Sequence, residues 1–253
     1  MQNVMACSVK LMEKPELKDP VLIEGLPGIG LVANIAVAYL IQKLNAKFFG
    51  EVRSSSFPDM SVAHKKGSLK FPFCHLYYYK AKNEDERDLV LLYGNTQALT
   101  RRGQYELCGC ILDIAESVGC RYVITLGGYK PGREVTAPNL YYAASDVGTA
   151  QTAMNLGAKM LRGQIYGVAG LLVGLAALRD MKGFCLLAET PGTYLDVKAA
   201  QAVLKAIQGV LGLKTDLSDL KDAKDLADYL SPFDFGAMAK EQQKKKSKPG
   251  WFI

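Results

Sequence analysis

The sequence is poor in the residues and motifs on which catalysis most often depends. It contains one tryptophan, Trp251, and two histidines, His64 and His75. The G-x-S-x-G nucleophile turn, the G-x-x-x-x-G-K-[ST] phosphate loop and the H-E-x-x-H zinc motif are all absent from it. An enzyme needs convergent acid, base or nucleophile groups, so we expect a protein that is not an enzyme.

The cysteine pattern does not indicate a metal site or a cofactor. No C-x-x-C occurs, and Cys108 and Cys110 are too closely spaced for ordinary zinc ligands. We expect reduced, mostly buried thiols in a cytoplasmic protein without metal or cofactor, and leave open a disulfide among the cysteines. The six cysteines are Cys7, Cys74, Cys108, Cys110, Cys120 and Cys185.

Long apolar runs are also missing. Residues 1–10 have neither the charged start nor the apolar core of a secretion signal, so we expect no leader. The most apolar stretch, Ile165–Leu178, is shorter than the about 20 residues of a membrane span and contains three glycines. A buried helix is the better interpretation, and no membrane partner is expected.

Positive charge is concentrated at one end. The net charge is +6, and residues 240–248, with five lysines against Glu241, supply +4 of it and leave +2 for the rest. A nearly neutral body gives no reason to expect a nucleic-acid partner.

Strand and helix patterns alternate along the chain. This order predicts a three-layer α/β/α sandwich with a mixed or largely parallel sheet. We expect a single α/β domain over 1–231 and a flexible basic tail over 232–253. The predicted strands are 4–12, 20–24, 47–52, 88–93, 121–126 and 183–189, with a hairpin in 59–80; the predicted helices are 29–44, 102–118, 168–181, 196–211 and 219–230.

The sharpest motif follows the second predicted strand. Residues 28–33 match the dinucleotide fingerprint G-x-G-x-x-G/A, and Glu51 lies about 20 residues further on, as in that fingerprint. Pro27 removes one N–H from the loop, and a tight turn requires glycine for steric reasons alone. We interpret the turn as structural, so that Gly28→Val would destabilise the fold or its assembly, and keep a nucleotide- or nucleoside-binding enzyme that uses residues 25–33 as the alternative. The turn residues are Gly25, Pro27, Gly28 and Gly30.

The C-terminal segment is polar until its last three residues. Three large apolar side chains at the end of such a segment are costly to leave in water, since burial contributes about 1.5–3 kcal/mol each. The trio either folds back onto its own surface or docks into a partner, with the lysines steering the encounter. These candidate partner-binding residues are Lys244, Lys245, Lys246, Trp251, Phe252 and Ile253.

Four motifs in order resemble the archaeal members of the proteasome assembly chaperone family, over most of positions 20–230. They are Glu24–Gly30 after a short strand, Gly127-Gly128, Gly167–Leu172, and Leu186–Thr190 leading to Asp196–Ala200. The resemblance implies a fold similar to that of nucleoside phosphorylases. It also implies non-catalytic chaperone or adaptor binding to proteasome α subunits or the α ring, and a homo-oligomer.

Some members of that family end in a hydrophobic–tyrosine–any residue motif that enters pockets between α subunits. Trp251 and Ile253 match this pattern, and Phe252 departs from it because it lacks the hydroxyl. The lost hydrogen bond would cost about 0.5–1.5 kcal/mol. For self-association, the small and apolar segment 163–178 is the predicted contact.

Overall fold

The computed structural model describes residues 7–63, 69–192, 195–218 and 220. His64, most of the predicted helix 219–230 and the whole tail 232–253 lie outside this part of the chain. None of the described helices has the length and apolar character needed to cross a bilayer.

A nine-stranded mixed sheet organises the described residues. Its strands β7, β2, β8 and β11 run parallel in the centre, and β1, β3, β6 and β9 are joined to them by antiparallel pairing. The spatial order is β1-β3-β6-β7-β2-β8-β11-β9-β10, and β4 and β5 form a separate hairpin. The strands are β1 Cys7–Leu11, β2 Val21–Gly25, β3 Lys47–Ser54, β4 Val62–Ala63, β5 Leu69–Lys70, β6 Cys74–Tyr79, β7 Leu89–Gly94, β8 Tyr122–Tyr129, β9 Leu140–Ala144, β10 Lys159–Met160 and β11 Lys182–Glu189.

Helices cover both faces of the sheet. Side chains of α1, α3 and α5 share one core, and those of α2 and α4 share the core on the opposite face. Every residue of β2 and β7 is buried, as expected for central parallel strands covered on both sides. The predicted three-layer α/β/α sandwich is therefore confirmed. The helices are α1 Val32–Lys43, α2 Arg101–Ser117, α3 Val147–Asn155, α4 Val168–Ala177 and α5 Val197–Leu211.

Local sequence signals set the ends of α5. The Asp196 carboxylate accepts the Ala199 N–H at 3.0 Å, and Gly212 takes a left-handed φ of 66° directly after the helix. These are the N-cap and C-terminal glycine preferences that predicted a helix over 196–211.

Three predicted boundaries were wrong by three residues or more. The strand beginning at Tyr122 continues through Gly127-Gly128 to Tyr129, because these glycines mark a close backbone approach and not a strand end. The predicted helix 29–44 opens with a 3₁₀ turn, Ile29–Leu31, and the predicted helix 168–181 ends at Ala177. Helix α3 was not predicted at all.

Candidate functional site

The turn that joins β2 to α1 occupies the place where open α/β sheets usually bind ligands. We call residues 25–31 the β2–α1 turn. It follows the carboxyl end of β2, between the parallel strands β7 and β8. Asn34, fully buried in α1, donates from Nδ2 to the Gly25 carbonyl at 2.9 Å and to the Gly94 carbonyl at 2.7 Å. One amide therefore joins the ends of β2 and β7.

Two glycines of this turn are required by close packing. A Cβ on Gly25 would lie 2.3 Å from the Val37 Cβ of α1. Gly30 has a left-handed φ of 67°, and a Cβ there would lie 2.8 Å from the Thr190 hydroxyl oxygen. The turn also presses on β8, because a Cβ on Gly128 would lie 2.2 Å from the Ile29 carbonyl oxygen. These contacts bring α1, β8 and the chain after β11 together without space between them.

Gly28 is different from its neighbours. Its φ of −148° is extended backbone that any residue adopts, and a Cβ there would meet no atom within 4 Å. The expectation that Gly28→Val destabilises the fold is therefore wrong, and this substitution serves below as the control for Gly25→Val.

Pro27 is connected to helix α4 through one glutamine. Gln97 donates from Nε2 to the Pro27 carbonyl at 2.7 Å, and its Oε1 accepts the Val168 N–H at 3.1 Å. Gly167, with φ 81°, allows this approach, because a Cβ there would lie 2.9 Å from Oε1 of Gln97. The β2–α1 turn thus holds the first residue of α4 in place.

Two carboxylates near the turn already have partners. Asp196 accepts from the Thr190 hydroxyl at 2.6 Å, and its own N–H donates to the Gly30 carbonyl at 2.9 Å. Arg133 donates to both oxygens of the buried Glu189 at 2.6 and 2.7 Å. These contacts fill the space beside Gly30 with protein groups, so the geometry does not favour the nucleotide alternative.

Glu24 is a buried carboxyl in the central strand, with 1% of its surface exposed. Its Oε1 accepts the Leu26 N–H at 2.7 Å, and its Oε2 has no partner within the described part of the chain. Burial raises the pKa of this carboxyl to about 8, so that it holds its proton at neutral pH. A single acid inside the apolar run 21–26 was the only sequence signal for it.

The buried thiols and the described histidine have the character of packing groups. Burial raises the pKa of Cys108 and of Cys185 to about 12, which keeps both thiols protonated. Burial lowers the pKa of His75 to about 4, so its ring is neutral, and its centroid lies 3.9 Å from that of Phe73. Among the described residues, no group of three potential ligands could hold a metal ion.

Helix α4 exposes apolar side chains on its outer side. Tyr166 and Leu178, at its two ends, are each 82% exposed. Between them, Leu171 and Leu175 are half-buried, and a Cβ on Gly174 would meet no atom within 4 Å. We call these five residues the α4 outer face. All five lie within the segment 163–178 predicted for self-association.

The structure describes only some of the predicted site residues. It brings Gly25, Pro27 and Gly30 together with three groups that the sequence did not single out as a network, Asn34, Gln97 and Thr190. The predicted partner-binding residues lie outside the described residues. These are Lys244, Lys245, Lys246, Trp251, Phe252 and Ile253.

Comparison with known structures first defines the class of fold. The three-layer α/β/α architecture is similar to that of Pyrococcus furiosus PbaB, which is described as an archaeal proteasome activator. The TM-score is 0.81 and the sequence identity is 34%, over 90% of this chain and 98% of the PbaB chain. It is also similar to Pyrococcus furiosus PbaA, described as an archaeal homologue of a proteasome-assembly chaperone. For PbaA the TM-score is 0.73 and the identity 27%, over 93% of this chain and all of the other.

Sequence comparison then gives the family. Residues 22–228 match the model of the PAC2 family, and the chain belongs to that family. An uncharacterised protein of Methanocaldococcus jannaschii is 32% identical over 198 residues, which cover 78% of this chain and 75% of the relative. The resemblance to archaeal proteasome assembly chaperones is thereby confirmed.

Proposed function

We propose that this protein is a non-catalytic, homo-oligomeric chaperone or adaptor that binds proteasome α subunits or the α ring in the cytoplasm. The observation that carries the proposal is the likeness to PbaB, at 34% identity over 90% of the chain. The packed β2–α1 turn supports it, because the polar groups of this turn hold the fold together. The α4 outer face is a separate apolar surface that remains exposed.

The direct test is capture of α subunits. The purified protein is mixed with proteasome α subunits from its own source, and native mass spectrometry records the masses of the complexes. We expect species containing both proteins, in a fixed ratio, and a faster formation of α rings. If the two proteins keep their separate masses at tens of micromolar, the proposal fails.

Self-association is assigned to the α4 outer face. Exposed apolar groups of this size stabilise an interface when a second copy covers them, at about 1.5–3 kcal/mol for each large side chain that is fully buried. The glycine at position 174 lets another backbone approach closely. The proposal therefore predicts that a charge on this face weakens the oligomer.

Leu178→Lys should raise the dissociation constant of the oligomer at least about tenfold, because burying an ammonium at the interface costs well over 1.4 kcal/mol. The positive charge suits the C-terminal end of α4, so the fold itself should tolerate the change. Val147→Glu is the matched control, since Val147 is 87% exposed at the start of α3 and an acid suits that position. Sedimentation velocity measures both variants, and equal dissociation constants for the two would refute the assignment.

Docking to the partner is assigned to Trp251-Phe252-Ile253, as the sequence predicts. About 18 residues separate Pro232 from the trio. The root-mean-square end-to-end distance of a flexible chain is about 5–6 Å × √n for n residues, so the trio would reach roughly 20–25 Å from Pro232. Lys244, Lys245 and Lys246 would steer the trio toward an acidic surface. Several tails in one oligomer would raise the overall affinity through effective concentration.

Deleting residues 251–253 should leave the melting temperature and the oligomer mass unchanged while reducing capture of α subunits. Phe252→Tyr should strengthen capture by about two- to tenfold, because a hydroxyl hydrogen bond contributes about 0.5–1.5 kcal/mol. Surface plasmon resonance on immobilised α rings measures both. Undiminished capture by the truncated protein would move the docking surface to the folded body.

The nucleotide alternative is tested separately by a thermal-shift screen with nucleotides and nucleosides. A ligand present at 100 times its dissociation constant would stabilise the protein by about 2.7 kcal/mol. We expect no shift, because Thr190 and Asp196 occupy the space beside Gly30.

A further inference from the structure

The α4 outer face has the same pattern when it is read in either direction. A large apolar side chain lies at each end, because Tyr166 and Leu178 are both 82% exposed. Between them, Leu171 is half-buried, and three residues later a Cβ on Gly174 would meet no atom within 4 Å. Both pairs of residues are centred on the same part of the helix, close to Leu172. Reversing the helix therefore exchanges one large end for the other and places Leu171 where the gap was.

The charges at the two ends of α4 are opposite in sign. Arg162 is exposed shortly before the helix, and Asp180 is exposed shortly after it. The charge of the neighbouring Arg179 is already balanced, because its guanidinium donates to Asp113 at 2.6 Å and to Glu116 at 3.2 Å, both in α2. The helix dipole adds positive partial charge at the first end and negative partial charge at the second. A second helix of the same kind therefore fits this one best in the antiparallel direction.

Two exposed lysines near these ends do not change this pattern. Lys182 lies two residues before Phe184 in β11, and Phe184 packs in the core that α1, α3 and α5 share. Alternate residues of a strand point to the same face of the sheet, so Lys182 faces away from α4. Lys159 donates to the Asn139 side-chain oxygen at 3.3 Å. The opposite charges at the two ends of α4 therefore remain.

We infer that the α4 outer face pairs with the same face of a second copy, with the two helices antiparallel about a two-fold axis near Leu172. This inference rests on the self-association assigned above and specifies its partner surface and its geometry. In this arrangement Leu171 of each copy fills the open space at Gly174 of the other. Tyr166 of each copy packs against Leu178 of the other, and the opposite charges at the two ends of the helices come together.

Parallel pairing of the same two helices satisfies fewer of these features. It would place Arg162 beside Arg162 of the other copy and Asp180 beside Asp180, and it would bring like ends of the helix dipoles together. The antiparallel pair instead forms each favourable contact twice, because a two-fold axis makes the interface self-complementary. The second copy is therefore the occupant that matches the apolar pattern and the charges of the face at the same time.

Cysteine cross-linking of the full-length protein tests the direction of the helices. Cys7→Ser and Cys110→Ser first remove the two native thiols that are only partly buried. Tyr166→Cys and Leu178→Cys are then introduced, singly and together, and each protein is treated with a short bismaleimide. The protein with both new cysteines should give a covalent dimer on a denaturing gel. Each single variant should not, because the axis keeps the two copies of either position roughly 18 Å apart, at about 1.5 Å per helical residue.

Two results of this experiment would overturn the inference. A covalent dimer from either single variant would mean parallel pairing. No covalent dimer from the protein with both cysteines would mean that a different surface, or a different partner such as an α subunit, covers the face. Sedimentation velocity of the same proteins separates these results from a failure of self-association itself. A monomer at tens of micromolar would refute both the assignment and this geometry, whereas capture of α subunits is measured independently.

Charge substitutions test the pairing of the two ends and leave every apolar side chain in place. Arg162→Glu should raise the dissociation constant of the oligomer at least about threefold, because the new carboxylate meets Asp180 of the other copy at both ends of the pair. In the Asp180→Asn background the same substitution should change it by less than about twofold. Asparagine is the matched replacement, because Asp180 has a left-handed φ of 56°, which asparagine also tolerates. Equal effects of Arg162→Glu in the two backgrounds, measured by sedimentation velocity at low salt, would overturn the antiparallel geometry.

Discussion

Gly25→Val is expected to abolish soluble expression or to lower the melting temperature by at least about 10 °C. The new Cβ would lie 2.3 Å from the Val37 Cβ, where no side chain can move aside, because the clash is with the first atom of that side chain. Either α1 must shift away from β2, or β2 must leave the sheet centre. Overpacking in a tight core costs about 1–3 kcal/mol, and a forced backbone shift adds to this cost. A total of about 4 kcal/mol would lower the melting temperature by roughly 8–16 °C, at about 2–4 °C per kcal/mol for a chain of this size.

Gly28→Val is the matched control for this prediction. It places the same side chain three residues away, at an extended φ of −148° and in open space. Its melting temperature should stay within about 2 °C of the unmodified protein by differential scanning fluorimetry. A stable Gly25→Val protein, or an equal loss in both variants, would mean that the close approach of α1 to β2 does not determine the stability of the turn.

The second large effect concerns Glu24. The contribution of Glu24 to the free energy of unfolding should fall as the pH rises from about 4.5 to about 8, and stay constant outside this window. The folded protein keeps the Glu24 proton up to pH about 8, because burial raises the pKa of the carboxyl from 4.5. The unfolded chain releases it near 4.5, so it binds fewer protons within the window, and the slope of stability against pH is negative.

Glu24→Gln removes this dependence while it keeps the shape of the side chain and the acceptor for the Leu26 N–H. At pH 8 the variant should be more stable than the unmodified protein by up to about 5 kcal/mol, since one pKa unit corresponds to about 1.36 kcal/mol. Urea unfolding at several pH values measures the difference, and Glu134→Gln, at an exposed position, gives the background. A parallel pH profile for Glu24→Gln and the unmodified protein would exclude Glu24 as the source.

Glu189 shows why burial alone does not predict the sign of such an effect. Burial tends to raise the pKa of its carboxyl, but hydrogen bonds from Asn139, Tyr141 and Arg133 outweigh it and hold the pKa below the usual value. Its contribution is therefore lost as the pH falls. Glu24 in β2 and Glu189 in β11 are both buried acids, yet they change the free energy of unfolding in opposite directions as the pH rises.

Periodicity in the sequence was sufficient to predict the class of fold. The apolar runs of β2, β7 and β8, the helical spacing of α1 and α2, and the Asp196 cap of α5 are local signals, and each led to the element that the structure contains. Helix α3 was missed because most of its residues are small or polar and only Thr149 and Ala153 are buried, so no apolar face marks it. Its start depends instead on the capping box of Asp146 and Thr149.

The sequence by itself determined most of the order of strands and helices, the family, and the presence of a glycine turn after β2, because these follow from local pattern and from motifs in a fixed order. Only the tertiary structure decided which glycine of that turn matters and what the turn does. Gly25 faces Val37 of the following helix and Gly30 faces Thr190, which is distant in the chain, whereas Gly28 faces open space. Steric contacts depend on distances between side chains, and these distances exist only once the layers have packed.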